Sequence, residues 1–277
     1  IRVRVTAAGL NPMDWIITAD ADTAARFGLS LPVGFGTDYA GVIDQVGDGV
    51  SGFAVDDRVF GGALSRAVAD FVLINVTGGI AAEEAHHIPD GVDDRTAATL
   101  AIAGRTASAA LAVVNPGPGD TVLIGGAGGG VGVFAVQLAR IAGARVIGTG
   151  SATSADFLRG LGAEPVAYGA GLADRVRMLA PGRITAATDL HGKETVYAAK
   201  ELGVPESRIC TIATQVEGIS AANGANAAEG ALEELARLIA AGQLRVPIAA
   251  SFPLAQIRRA VELQAGRHVH GKVVIDL

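Results

Sequence analysis

Cysteine is nearly absent: the chain holds one, Cys210, in 277 residues, which excludes an internal disulfide and a cysteine-rich zinc lobe and makes a reducing cytoplasm the simplest compartment. A basic excess is missing too. With 22 Lys and Arg against 28 Asp and Glu the net charge is -6 and no basic stripe runs along the chain, which argues against nucleic acid or an anionic membrane as the main partner. There is no unbroken apolar run of bilayer length. The most apolar stretch, Thr96 to Val114, is interrupted by Arg105 beside Thr99, Thr106 and Ser108 and is otherwise rich in alanine, so we expect a buried helix there. No signal-peptide pattern is visible. What remains is the composition of a globular fold, half apolar and 18% charged, with a mean hydropathy of +0.40.

Two textures divide the chain. Up to about Arg95, short alternating runs (Ile1 to Ala7, Tyr39 to Val46, Asp57 to Phe60, Val68 to Ile74) are broken by glycine and proline, with a turn at Val46-Gly47-Asp48-Gly49-Val50, which predicts a compact antiparallel β unit. After Thr96, strand and helix alternate. We expect a helix over Thr96 to Val114, strand over Thr121 to Ile124, helix over Val131 to Ala142, strand over Arg145 to Thr149 and helix over Ala155 to Leu161, with later strands at Ile184 to Leu190 and Arg208 to Ala213. That order predicts an α/β fold with a doubly wound parallel sheet. A helix over Ala227 to Ala241, with Leu232, Leu235, Leu238 and Ile239 on one side, stops at Gly242. Beyond it a strand (Val246 to Phe252), a helix (Leu254 to Ala265) and a last strand (Lys272 to Leu277) look like a return to the first unit. The expected domains are 1–100, 101–241 and 242–277.

The strand Thr121 to Ile124 runs into Gly125-Gly126-Ala127-Gly128-Gly129-Gly130-Val131-Gly132, which opens a helix. Ala127-x-Gly129-x-x-Gly132 is an alanine-first form of the dinucleotide fingerprint: residues without bulk admit the backbone to a pyrophosphate, and the amides at the helix N-terminus meet its charge. Gly126, Ala127, Gly128, Gly129, Gly130, Val131 and Gly132 are therefore the candidate cofactor-binding residues. An NAD site normally adds an acidic residue after the second strand, for the ribose 2′-hydroxyl. From Thr121 through Ala155 there is no Asp or Glu, and the second strand ends in Thr149-Gly150-Ser151. That absence points to NADPH. Ser151 as a simple turn or helix cap is the alternative.

Five further segments, in order, resemble the quinone oxidoreductase branch of the medium-chain dehydrogenase/reductase superfamily over nearly the whole chain. They are Ala8-Gly9-Leu10-Asn11-Pro12-Met13-Asp14-Trp15, Gly36-Thr37-Asp38-Tyr39-Ala40-Gly41, Val55-Asp56-Asp57-Arg58-Val59-Phe60 (Asp56 replacing the usual glycine), Gly104-Arg105-Thr106-Ala107 and Gly271-Lys272-Val273-Val274. The resemblance implies a GroES-like β-rich substrate domain, a Rossmann NADP-binding domain, a homodimer formed through the cofactor domains, and residues ahead of Ile1.

It also implies site residues. Asn11 and Thr106 are the catalytic candidates, placed against the nicotinamide and the acceptor, although Asn11 before Pro12 could make a turn and Thr106 could be a helix-interior hydroxyl. Ser151, Tyr168 and Arg267 are candidates for the adenosine phosphate, with strand-end packing and a solvated charge as the other readings of Tyr168 and Arg267. Ile16 stands where some quinone reductases carry a tyrosine that reaches the substrate. Asp14 is expected to be a structural hydrogen-bond partner. Zinc-dependent relatives place metal ligands where this chain has Thr37-Asp38, and His86, His87, His191, His268 and His270 form no triplet by spacing, so no metal is expected. The implied function is NADPH-dependent, zinc-free reduction of a small quinone or α,β-unsaturated carbonyl. An enoyl-thioester reductase and a catalytically silent NADPH-binding regulatory or structural protein are the alternatives.

Overall fold

Alternation opens the chain as strand. In Arg2–Leu10 (β1) Val3 and Val5 are buried and Arg4 is exposed, and from Ala7 onward successive residues are buried on both faces. The structure, a computed structural model, describes residues 1–77 and 83–277. The strands after β1 are Asp38–Gln45 (β2), Arg58–Gly62 (β3), Phe71–Leu73 (β4), His86–His87 (β5), Thr121–Gly125 (β6), Arg145–Gly150 (β7), Glu164–Ala167 (β8), Ala186–Asp189 (β9), Ile209–Thr211 (β10), Ser220–Ala221 (β11), Ile248–Pro253 (β12) and Lys272–Asp276 (β13). The α-helices are Pro12–Ala19 (α1), Ala21–Arg26 (α2), Asp94–Ala97 (α3), Arg105–Val114 (α4), Gly132–Ile141 (α5), Ala155–Leu161 (α6), Leu172–Leu179 (α7), Glu194–Glu201 (α8), Ala231–Ala240 (α9) and Ile257–Ala265 (α10).

Contacts gather the chain into two units, Ile1–Ile102 with Leu232–Leu277, and Ala103–Ala231. In the first, the sheet runs β12-β13-β1-β2-β3-β5, with β4 also on β1. Its pairings are antiparallel apart from β12 with β13. Val3, Val5, Tyr39, Ile43 and Val59 form one core cluster, and Ala8, Leu10, Val273 and Ile275 form another with Ala260 of α10. Close packing constrains β1: a Cβ on Gly9 would lie 2.0 Å from the carbonyl oxygen of Ala98.

The second unit is a parallel sheet in the order β11-β10-β9-β6-β7-β8. Counted from β6, this is the doubly wound order, and the chain reverses direction across the sheet between β6 and β9. Leu123, Ile147, Ala187, Val196 and Ile209 are buried in its core.

Two differences from the expected elements have physical causes. The helix foreseen over Thr96 to Val114 is broken into α3, a π-helical turn at Leu100–Gly104 and α4. In that turn the Ile102 amide donates to Asp38 Oδ1 at 2.9 Å, so a buried carboxylate diverts the backbone from an α ladder. Helix α1, also unforeseen, begins with Pro12 at its first position while Asp14 Oδ2 accepts from the Asn11 amide at 2.7 Å. Helix α9 ends before Gly242 (φ +67°), as its periodicity predicts, and from Leu232 on it belongs to the first unit, where Glu233 meets His86 of β5 at 2.8 Å. Among the described residues no helix is long and apolar enough to cross a membrane.

Gly9→Ala should destabilise the protein by about 2–3 kcal/mol, because the added methyl collides with backbone that cannot rotate away. Gly47→Ala, where nothing lies within 4 Å of the new Cβ, is the comparison and should stay within about 0.5 kcal/mol in the same urea titration. Equal midpoints for the two variants would contradict this packing.

Candidate active site

In the first unit, Asn11 lies at the centre of a buried polar network. Its residue is 3% exposed, and both ends of its amide are engaged: Nδ2 donates to Asp38 Oδ2 at 2.9 Å, and Oδ1 accepts from Lys272 Nζ at 2.6 Å. This pairing fixes the amide orientation, since a flipped amide would turn its oxygen to the carboxylate and its NH2 to the ammonium. The second Nδ2 hydrogen has only Gly9 O, at 3.5 Å. Lys272 also donates to Leu10 O at 3.0 Å and stands 3.9 Å from Asp38 Oδ2. Gln264 of α10 donates to the same Leu10 oxygen at 2.7 Å and accepts from Trp15 Nε1 at 3.1 Å, which ties α1 to α10.

Burial sets the electrostatics of this network. Asp14, 2% exposed, accepts from the Asn11 amide and from Thr37 Oγ1 at 3.0 Å, yet loss of water raises its pKa to about 7, with Asp38 adding to the rise and Lys272 opposing it. The sequence-based expectation for Asp14, a structural hydrogen-bond partner, agrees with these bonds. Its raised pKa is invisible in the sequence, because it comes from burial. Burial likewise lowers the Lys272 ammonium, against the pull of Asp38 and Asp14. Ile16 lies on α1 and is 36% exposed.

In the second unit, the carboxyl ends of β6 and β9 flank the point where strand order reverses, the usual crevice for a ligand in such sheets. The glycine turn lies there. Gly126 has φ +68° and its amide donates to Thr149 Oγ1 at 3.0 Å, so the Thr149 hydroxyl is used inside the turn. Gly132 admits no side chain: a Cβ would lie 2.2 Å from Gly126 O and 2.5 Å from Ala127 O. The Ala127 methyl is fully buried and would lie 2.8 Å from a Cβ on Gly148, so this side chain packs inward and leaves backbone to face a ligand. Gly126, Gly128, Gly129, Gly130 and Val131 are partly exposed. At the start of α5 the Val133 amide donates to Gly129 O and the Phe134 and Ala135 amides to Val131 O, and within the turn the Gly129 amide donates to Gly126 O, so what the turn offers an anion is the positive end of the helix dipole and backbone free of side-chain bulk. The residues present therefore fit a dinucleotide.

The other predicted residues are distributed over both units. Ser151 Oγ, beyond β7, is bonded to Thr153 Oγ1 at 2.9 Å and Ser154 Oγ at 3.1 Å, and Tyr168 is 56% exposed just after β8. Its amide meets Gly150 O at 3.3 Å, which brings Tyr168 and Ser151 to the same edge of the sheet. Thr106 is partly exposed in the first turn of α4, with its hydroxyl 3.7 Å from the position of a Cβ on Gly224. Arg267 is exposed, with φ +56°, in the first unit. Sequence reasoning missed Lys272 and Asp38 as partners of Asn11, and Gln264 as the link between Leu10 and Trp15. Gly271-Lys272 was visible as a motif, but nothing local shows that its ammonium is buried.

Among the described residues, no group of three His, Cys, Asp or Glu side chains could hold a metal ion. Thr37 donates to Asp14, Asp38 accepts from Ile102 and Asn11, and the Lys272 ammonium is beside them. His86 sits between Glu233 (2.8 Å) and Glu84 (3.3 Å); burial disfavours its charged form, but the two carboxylates prevail and raise its pKa.

Residues 1–90 match the alcohol dehydrogenase GroES-like domain family and residues 161–275 match a zinc-binding dehydrogenase family. The chain is 30% identical to a quinone oxidoreductase of Pseudomonas aeruginosa, over 99% of this chain and 90% of that protein. It is 29% identical to a mycocerosic acid synthase-like polyketide synthase of Mycobacterium tuberculosis, but spans only 14% of that protein's length. Among solved structures it is similar to the quinone oxidoreductase from Coxiella burnetii (TM-score 0.81, 26% identity, all of this chain and 90% of the other). It is also similar to the CurK enoyl reductase (TM-score 0.86, 27% identity, the same coverage).

The network predicts a pH dependence. The pKa of Asp14 is raised on folding, so its contribution to stability is complete below the usual carboxylate range and is lost as pH rises through about 7. Asp14→Asn, neutral at every pH, should gain on the wild type between about pH 5 and about pH 8 in paired urea unfolding curves. A difference that does not change with pH would contradict the assignment.

Proposed function

The chain belongs to the quinone oxidoreductase-like part of the medium-chain dehydrogenase/reductase family, and on that premise we propose that it reduces a quinone or α,β-unsaturated carbonyl with NADPH and without zinc. The observation that carries this reading is the turn Gly126–Gly132 at the strand-order reversal, followed by a second strand with no acidic residue near its end. A nicotinamide dinucleotide bound there supplies the hydride.

The protein's part is to hold the diphosphate on backbone amides and to stabilise negative charge on the acceptor oxygen. We assign the second task to Asn11. Lys272 bonded to Asn11 Oδ1 draws electron density from the amide, and this strengthens Nδ2–H as a donor. One Nδ2 hydrogen is held by Asp38, so the amide cannot swing, and the other is the donor we assign to the acceptor. Thr106, in the second unit, is the other catalytic candidate in this reading. Asp38 is already neutralised by Lys272 and two N–H donors, and a dication beside that ammonium would be repelled, which supports metal independence.

The similarity to an enoyl reductase and to polyketide synthases favours an enoyl thioester as the second acceptor class. Ultraviolet absorbance of the reduced nicotinamide, followed with a panel of quinones, enones and a crotonyl thioester, separates the two. We expect turnover with quinones or enones that survives a chelator. Turnover confined to the thioester would replace the acceptor, loss of activity on chelation would overturn metal independence, and nucleotide binding with no oxidation by any acceptor would overturn the enzyme reading.

For the cofactor, Ser151→Asp places a carboxylate where the 2′-phosphate is assigned. NADPH affinity should fall by about tenfold or more and NADH affinity should change by less than about twofold, read by fluorescence titration. Equal losses for both would contradict the phosphate assignment.

A further inference from the structure

One guanidinium in the second unit makes an uncommon set of contacts. Arg175, on α7, donates from Nε to Ala167 O at 3.0 Å, from Nη1 to Ala170 O at 2.7 Å, and from Nη2 to Tyr168 O at 3.2 Å and Gly169 O at 2.7 Å. Four consecutive carbonyls thus converge on one side chain. Their dipoles would repel one another with nothing between them, and only a cation with several fixed donors satisfies them all.

The convergence determines what the other side of the loop presents. In a trans peptide the N–H points opposite to the C=O, so carbonyls turned toward Arg175 turn the following amides away from it. Two of these amides are seen in place: Tyr168 N–H meets Gly150 O at 3.3 Å, and Gly169 N–H meets the Glu194 carboxylate at 2.6 Å. Gly169 (φ +96°) and Gly171 (φ +78°) supply the left-handed backbone that such a loop requires. The loop is therefore locked against the end of β7, where Ala167 pairs with Gly150 and Ser151 follows. Selectivity between a ribose hydroxyl and a ribose phosphate is decided at the end of the second strand in this fold. The Tyr168 ring stands exposed there, on a backbone whose N–H and C=O are both held.

We propose that Arg175 is a positioning residue for 2′-phosphate selectivity, acting through the 167–170 loop by fixing Tyr168 beside Ser151 and adding a positive charge to that edge of the sheet. This rests on the nucleotide reading above and goes beyond it, because it assigns discrimination to a side chain whose bonds all go to backbone. It also offsets the nearby negative charge of Glu194, which would otherwise oppose a phosphate.

The test uses the intact protein and two fragments as probes, 2′,5′-ADP and 5′-AMP, by calorimetric titration, together with the thermal midpoint of each variant. Wild type should prefer 2′,5′-ADP. Arg175→Lys keeps the charge and loses the fork, so 2′,5′-ADP affinity should fall by about tenfold while 5′-AMP changes by less than about twofold. Tyr168→Ala removes an exposed ring with little risk to folding and should show the same split. In Tyr168→Ala, adding Arg175→Lys should cost clearly less than it does alone, because the two act in sequence. Wild type that binds the two probes equally would fail the NADPH reading itself, before Arg175 enters. Wild-type preference that survives Arg175→Lys, or survives Tyr168→Ala, would overturn the assignment of Arg175, as would parallel losses for both probes that track the thermal midpoint.

Discussion

The nucleotide end of this protein depends on one close approach of backbone to backbone. At Gly132 the start of α5 comes so near the carbonyls of Gly126 and Ala127 that a single added carbon would lie within 2.5 Å of both. That approach lets a helix begin shortly after the end of β6, with the positive end of its dipole at the point where the sheet reverses its strand order. The same compression uses the Thr149 hydroxyl to hold Gly126 and the Ala127 methyl to fill the space over Gly148. Close packing and a backbone free of side-chain bulk are therefore one feature of the turn.

The first unit solves a different problem: it keeps a side-chain amide rigid in a buried place. Asn11 is clamped between an anion and a cation, Asp38 on its nitrogen and Lys272 on its oxygen. Buried charges are costly unless paired and hydrogen-bonded, and here each is both. Asp38 takes amide hydrogens from Ile102 and Asn11, and Lys272 adds the Leu10 carbonyl. Asp14 accepts from the Asn11 amide and Thr37 Oγ1 but has no cation in direct contact, and loss of water makes its carboxyl the one whose charged form is disfavoured.

Local signals in the sequence anticipated the first half of the second unit, but not β8, α7, α8 or β11. The strand, glycine cluster, helix and second strand lie consecutively between Thr121 and Gly150, and each carries its own periodicity or turn chemistry. The α9 stop at Gly242 was legible for the same reason. The Asn11 network was not, since Asp38 and Lys272 lie 27 and 261 residues from their partner and meet it only through the β1, β2 and β13 pairings. The π-helical turn was hidden because its cause, the Asp38 carboxylate, lies in another strand. Arg175 leaves no pattern at all, because its four acceptors are main-chain oxygens that every residue carries. Nearby residues reveal elements, whereas the chemistry of a site depends on distant ones.

The account stands on backbone amides of the Gly126–Gly132 turn receiving a dinucleotide's diphosphate. Amide chemical shifts followed during titration with NADPH test this directly. The largest saturable shifts should fall on Gly128 to Gly132, with smaller ones at Ser151 and Tyr168. Saturable binding that leaves the amides of that turn unmoved, or no shift anywhere in the chain, would contradict it.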